Sequence, residues 1–289
     1  MLFYQYFFRE AVMQPRHSYL VCATPRSGST LFCEVLSNTN IAGRPKEHFE
    51  MLKDTGLPKQ PQQYFETVAE AKTSILQTLG NPPPLKVDSV WLAQQDGSGY
   101  THYLAQVLEA GTTPNGVFGA KMMWGYFDDF IHFVRQLPAY TELGLHEILT
   151  SMFPNLQYIW VKRRDKVRQA VSLWKAIQTQ SWREDQCEEE PIQLTRKPVF
   201  HFAAIKHLER QLIEYEVAWQ QYFAAYGVQP LVVVYEELLN HFEATIRQAL
   251  QYLSIPVPEH LTLTMPSMQR QADAQSEEWV QQYCLIKEE

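Results

Sequence analysis

The segment Ala23-Thr24-Pro25-Arg26-Ser27-Gly28-Ser29-Thr30 packs hydroxyls, a glycine and an arginine into one short turn. That mixture suits an anion. A glycine lets the backbone come close to the ligand, and free N–H groups at the start of a following helix point at it. The hydroxyls of Ser27, Ser29 and Thr30 add donors, and Arg26 adds a fixed charge with a bidentate fork. Set against the nucleotide phosphate loop G-x-x-x-x-G-K-[ST], Gly28 and Thr30 match. Ala23 stands in place of the first glycine and Ser29 in place of the lysine. In nucleoside triphosphatases that lysine serves the β- and γ-phosphates beside a metal. Its replacement, with no acidic metal partner evident after a strand, argues against ATP hydrolysis.

Further on, Lys162-Arg163-Arg164 is followed by Asp165 and, about two helical turns later, by Ser172. A phosphate held between Arg163 or Arg164 and Ser172 would be fixed from two directions. Lys121 lies in a third cluster, ahead of Met122-Met123-Trp124. The chain thus carries two arginine-bearing anion sites, no phosphate-loop lysine and no G-x-G-x-x-G fingerprint. This combination points to 3′-phosphoadenosine 5′-phosphosulfate, which presents a 5′-phosphosulfate and a separate 3′-phosphate.

These residues are useful only if the elements around them converge. His17–Ala23 reads as a buried strand running into the hydroxyl-rich turn, with a helix through Leu31–Leu36 after it. Val117–Lys121, Leu156–Val161 and Leu231–Tyr235 read as three more strands, and helices are expected at 165–182 and 200–226. From 58 to 113 the pattern is helical, interrupted by Pro82-Pro83-Pro84 and by Gly97 and Gly99. Near-continuous apolar strands alternating with helices imply an α/β fold whose parallel sheet is flanked by helices on both faces. Ligands of such folds sit beyond the carboxyl ends of the strands, where Arg26, Lys121, Arg163 and Arg164 would stand. After the fourth strand, the carboxylates of Glu236 and Glu237 would lie where they could orient the arginines.

Composition narrows the alternatives. The chain has 289 residues, of which 45% are hydrophobic and 20% charged, an ordinary globular balance. We read one domain over 1–289, with 1–17 as an N-terminal arm. Lys plus Arg number 25 and Asp plus Glu 32, so the net charge is −7. A generic nucleic-acid binder is normally basic, so nucleic acid is not expected as a partner. No apolar run approaches the ~20 residues of a membrane span. The aromatic start Met1–Phe8 has neither the basic opening nor the cleavage site of a signal peptide. Cys22, Cys33, Cys187 and Cys284 show no CxxC spacing, so no zinc site is expected. Reduced thiols in a cytoplasmic protein are the expectation.

Tyr19–Leu31 resembles the 5′-phosphosulfate loop of sulfotransferases. Four further segments, 43–49, 113–124, 168–183 and 270–280, resemble the trehalose 2-sulfotransferase family and occur in family order. The resemblance implies a P-loop NTPase-like sulfotransferase fold and an O-sulfotransferase that takes a sulfuryl group from the phosphosulfate donor without metal. It also implies a homodimer. Carried over by position, Thr24, Pro25, Arg26, Ser27, Gly28, Ser29 and Thr30 hold the 5′-phosphosulfate. Ser172 takes the 3′-phosphate with Arg163, which the family alignment favours, or Arg164, which the spacing in other sulfotransferases favours. The Arg270-Gln271-Ala272 segment closes over the nucleotide.

The family's catalytic base falls on Glu47, which without the resemblance reads as a surface carboxylate. A carboxylate within reach of an acceptor hydroxyl can take its proton as sulfur is attacked. His48 is the rival base. Arg26 and Lys121 would stabilise charge growing on the transferring group and the leaving phosphate. Where the trehalose enzymes carry an acidic sugar-binding residue, this chain has Arg44. An arginine there suits an acceptor bearing a carboxylate or phosphate, or makes no contact with it, so trehalose is not a given acceptor. Trp124, Trp174 and Trp182 offer ring faces to a sugar or to adenine, or simply pack in the core. The expected acceptor is a carbohydrate or a glycolipid precursor. A small-molecule kinase and a non-catalytic nucleotide-binding protein are the alternatives. Ser29 at the lysine position counts against the first, and the presence of Glu47, Arg26 and Lys121 together against the second.

Overall fold

The computed structural model describes residues 15–50, 59–80, 98–182, 197–265 and 274–288. They fall into two compact units. The first is drawn from Met1–Pro58, Lys86–Lys162 and Glu216–Pro266, the second from Lys59–Leu85, Arg163–Tyr215 and Ser267–Glu289.

The first unit is built on four strands: β1 (His17–Ala23), β2 (Val117–Met123), β3 (Leu156–Lys162) and β4 (Leu231–Val234). They form one sheet in the order β2-β1-β3-β4, and every pair is parallel. Every residue of β2 is buried, and so is every residue of β1 after His17. Successive strand residues face opposite sides of a sheet, so helices cover both faces. Following β1 is α1 (Ser29–Asn38), which packs on α9 (Phe242–Tyr252). Phe127 of α4 (Phe127–Arg135) lies 5.1 Å, ring centre to ring centre, from Trp219 of α7 (Phe202–Ala225).

Sheet order decides where ligands can enter. The connection leaving β1 runs to β2 on one side, and that leaving β3 runs to β4 on the other. The carboxyl ends of β1 and β3 therefore border the crevice where the strand order reverses. Register puts Ala23 opposite both Met123 and Val161, so these three strands end level.

An additional edge contact matters for the chemistry. Lys46 bridges Ala120 in parallel, and the Lys121 N–H donates to the Lys46 carbonyl at 2.9 Å. The segment leading there is fastened to its neighbours. Gly43 N–H donates to Thr113 Oγ1 at 3.1 Å, and Arg44 N–H to the Gly111 carbonyl at 2.9 Å. Gly43 has φ +69°, and a Cβ on it would sit 2.6 Å from the Gly119 nitrogen, so only glycine allows this approach.

The second unit has its own core, in which Phe65, Trp174, Leu208, Trp279 and Tyr283 are prominent. Helix α6 (Lys166–Thr179) supplies Ala170, Val171, Leu173, Trp174 and Ile177 to it, an apolar face at helical spacing. Asp165 caps α6 by accepting the Arg168 N–H at 2.8 Å. Helix α10 (Ala274–Glu288) is fastened through Tyr283, whose hydroxyl donates to Glu209 at 2.7 Å.

Several boundaries differ from the sequence expectation. Strand β2 runs on to Met123, so Lys121 lies inside the strand rather than at its end. Strand β4 stops at Val234, because Tyr235 begins α8 (Tyr235–Asn240). Glu236 and Glu237 occupy the first turn of that helix, where negative charge is favoured. Helix α6 ends at Thr179, and Gln180 turns into the left-handed region at φ +52°. Gly99 lies within α3 (Ser98–Gly111) and does not interrupt it. The remaining helices, α2 (Lys72–Leu79) and α5 (Leu145–Met152), fill expected helical regions or connections. Pro82-Pro83-Pro84, Gly97 and residues 1–14 of the expected arm lie outside the described residues, and the last residue of that arm, His17, opens β1.

Candidate active site

The turn after β1 has the geometry of an anion cradle. Arg26 has φ +61° and Gly28 φ +87°, so the chain enters the left-handed region twice within three residues. Such turns point successive N–H groups into one concavity. Gly28 is the N-cap of α1, and no side chain caps that helix. Its first N–H groups are therefore left for a ligand. Thr24, Ser27 and Ser29 are all buried in the turn. The Ser27 hydroxyl has no hydrogen-bond partner among the described residues. A buried hydroxyl without a partner is costly, and an oxyanion in the cradle would supply one. These features fit the phosphate end of a nucleotide donor.

Gly28 is doubly constrained. Besides its positive φ, a Cβ there would lie 2.2 Å from Cδ2 of Tyr235. Tyr235, the first residue after β4, thus packs over the turn. The replacement Gly28→Ala is expected to destabilise the fold by about 1–3 kcal/mol, the usual cost of such strain, and to weaken anion binding. Urea unfolding alongside nucleotide titration measures both; unchanged values for both would show that the turn tolerates a side chain.

Beside the turn stand Lys121 and Glu47. The Lys46–Ala120 bridge brings Glu47 alongside Lys121. Lys121 Nζ lies 2.6 Å from Glu47 Oε1 and donates to Thr30 Oγ1 at 3.0 Å. The lysine side chain is 5% exposed and the glutamate 26%. A nearly buried cation therefore links the carboxylate to the turn after β1, while the glutamate side chain stays partly exposed. Behind them, the Trp219 indole N–H donates to the Ala23 carbonyl at 3.0 Å and fixes the end of β1.

The family model for Stf0 sulphotransferases matches residues 18–285. The chain belongs to the Stf0 sulfotransferase family. The trehalose 2-sulfotransferase of Mycobacterium tuberculosis (strain ATCC 35801 / TMC 107 / Erdman) is 34% identical over 92% of this chain and 93% of its own length. The corresponding enzyme of Mycolicibacterium smegmatis (strain ATCC 700084 / mc(2)155) is 32% identical, covering 92% and 94%. Among solved structures, sulfotransferase STF9 from Mycobacterium avium aligns over 96% of this chain and 70% of its own, at 13% identity and a TM-score of 0.42. As a member of the Stf0 family, the chain has the P-loop-like sulfotransferase fold, and the kinase alternative is set aside.

Other expected site residues of this Stf0 sulfotransferase are placed as follows. His48 Nε2 lies 3.3 Å from the Arg44 carbonyl. A carbonyl can only accept, so this nitrogen carries the proton and braces the loop. Burial pushes the imidazole below its usual range. Arg44 Nη1 donates to the Thr112 carbonyl at 3.1 Å, which gives that side chain a bracing role on the segment that carries Glu47. Trp124 packs at 4.9 Å from Trp219 and 5.3 Å from Phe127, while remaining partly exposed. In the second unit, Arg163 and Arg164 immediately precede the α6 cap, and Ser172 is partly exposed on α6. Trp182 stacks on Tyr64 at 6.3 Å, and Trp174 lies fully buried in the core. Arg270, Gln271 and Ala272 lie outside the described residues. The sequence reading missed Tyr235 and Trp219 as supports of the turn. Their signals, a position just after a strand and an aromatic helix stripe, do not name a partner.

Among the described residues, no group of three or more His, Cys, Asp or Glu side chains could hold a metal, and no helix is long and apolar enough to cross a membrane. Cys22 and Cys33 are buried and Cys284 is partly exposed.

Proposed function

We propose that this protein transfers a sulfuryl group from 3′-phosphoadenosine 5′-phosphosulfate to a hydroxyl of a carbohydrate or glycolipid-type acceptor. The observation that carries the reading is Lys121, held between Glu47 Oε1 and Thr30 Oγ1 beside an uncapped, glycine-opened turn. The residues from Thr24 to Thr30 would receive the 5′-phosphosulfate. Arg163 or Arg164, with Ser172, would receive the 3′-phosphate, and Arg270–Ala272 would lie against the nucleotide. The carbohydrate class of acceptor is supported by the two relatives named as trehalose 2-sulfotransferases.

The roles follow from charge. Glu47 takes the proton of the acceptor hydroxyl as its oxygen attacks sulfur. The bond from sulfur to the bridging oxygen of the 5′-phosphate breaks, and adenosine 3′,5′-bisphosphate leaves with both electrons of that bond. Negative charge shifts onto the departing phosphate, where Lys121, Arg26 and the N–H groups of the turn would stabilise it. Preorganised donors of this kind stabilise a transition state without further rearrangement. No step calls for a metal ion. We read both compact units as parts of one sulfotransferase domain over 1–289, working as a cytoplasmic homodimer.

Two measurements test this. Radiolabelled donor offered with a panel of sugars and glycolipids should yield a sulfated hydroxyl. Calorimetry should give the same affinity for adenosine 3′,5′-bisphosphate with and without a chelator. A strict magnesium requirement for binding would overturn the metal-free mechanism.

A further inference from the structure

Glu47 lies in neither a helix nor a strand, so its place beside Lys121 depends on how the segment before it is held. Next to it the hold is the Lys46 carbonyl, which accepts the Lys121 N–H at 2.9 Å. Further upstream it comes from the turn between α3 and β2. That turn closes on itself: Thr113 N–H donates to the Val117 carbonyl at 2.9 Å and Gly116 N–H to the Thr113 carbonyl at 2.8 Å. Its side chains reach outward to residues 41–43. Asn115 Nδ2 donates to the Ile41 carbonyl at 2.7 Å, and Thr113 Oγ1 accepts the Gly43 N–H at 3.1 Å. The Thr113 hydroxyl donates in turn to Asn115 Oδ1 at 2.7 Å, so the two side chains work as one clamp. Thr113 is fully buried and Asn115 is exposed. The transfer chemistry uses neither.

We propose that Thr113 is a positioning residue for proton removal: by accepting the Gly43 N–H it sets the register of residues 43–47, and with it the place of the Glu47 carboxylate against Lys121. This rests on the reading of Glu47 as the base. Valine at 113 would keep the shape and lose the oxygen. The buried Gly43 N–H would then lack its acceptor, a cost that the segment relieves by shifting. Two other bonds, from the Tyr19 hydroxyl to the Ala42 carbonyl and from Arg44 N–H to the Gly111 carbonyl, would keep the segment docked. The expected change is therefore a displaced carboxylate rather than an unfolded chain. A misplacement of about 1 Å is enough to slow a reaction by ~10²-fold.

The test uses the full chain and two readouts of the reaction: single-turnover transfer at saturating donor, and calorimetry with adenosine 3′,5′-bisphosphate. The acceptor is the sugar that takes up most label in the panel above, trehalose included. Thr113→Val should slow transfer by about tenfold or more and leave the bisphosphate affinity unchanged, and Thr113→Ser, which restores the oxygen, should recover most of the rate. Asn115→Ala, at an exposed position, should show the same pattern more mildly. Placed on Glu47→Gln, Thr113→Val should add no further loss, because no base is left to position. Amide exchange over residues 41–47 reads the clamp without any acceptor; it should quicken in Thr113→Val and return in Thr113→Ser. A native rate or unchanged exchange in Thr113→Val, an equal loss of rate and bisphosphate affinity, or the full further loss on Glu47→Gln would overturn the proposal. Near-native transfer by Glu47→Gln alone would instead remove the base on which it rests.

Discussion

Glu47→Gln is expected to slow sulfuryl transfer by ~10²–10⁴-fold, the usual contribution of a general base, while donor affinity stays nearly unchanged. Glutamine keeps the shape, and its side-chain oxygen can still accept from Lys121, which lies 2.6 Å from the carboxylate in the native protein. What is lost is the ability to take a proton. Single-turnover transfer at saturating donor separates this step from binding and release. His48→Ala is the comparison, because His48 is the other base in reach of the sequence argument. With Glu47 as the base, replacing His48, which braces the Arg44 carbonyl through Nε2, should cost far less. Near-native rates for Glu47→Gln, or a larger loss for His48→Ala, would remove Glu47 from the mechanism.

Lys121→Met should be comparably damaging, with a loss of ~10²–10³-fold in turnover, as when a preorganised donor is removed from a site of developing charge. Methionine fills similar space in a position where the lysine side chain is only 5% exposed. The contact to Thr30 and the pairing with Glu47 both disappear. Two roles then need separating. If Lys121 serves only to hold Glu47, the double variant Glu47→Gln/Lys121→Met should be no slower than Glu47→Gln alone. If it also meets the transferring group, the double variant should be slower than either single one. Residues that act as one unit show such non-additivity strongly. Wild-type turnover in Lys121→Met would exclude both roles.

Local pattern carried much of this. The apolar runs of β1 and β3 and the hydroxyl-rich turn after β1 are written in contiguous residues, so the α/β class and the anion cradle were both legible. Lys121 was found as a candidate, but its strand was read two residues short, since Met122 and Met123 continue an apolar run without marking its end. Glu47 had no local signal at all beyond family resemblance. What brings it beside Lys121 is the Lys46–Ala120 bridge, a contact across 74 positions that no periodicity reveals. Arg44 shows the same limit from the other side. The sequence leaves open whether it meets an acceptor, and the donation of its Nη1 to the Thr112 carbonyl is a long-range contact that spacing does not reveal. Tyr235 over Gly28 and Trp219 on Ala23 are likewise long-range packing facts.

The strand order has a consequence for how this protein must be made. β1 emerges first from the ribosome, yet its two neighbours in the sheet are β2, beginning at Val117, and β3, beginning at Leu156. Until those segments are synthesised, Tyr19–Ala23 is an apolar ribbon with both edges unsatisfied. Parallel pairing over such separations is slow, and exposed edges invite pairing with other chains. The hydroxyl-rich turn is thus attached to the segment that waits longest for its neighbours. Losses during expression should begin there, and slower synthesis at lower temperature or a chaperone that shields nascent apolar strands should raise the soluble yield.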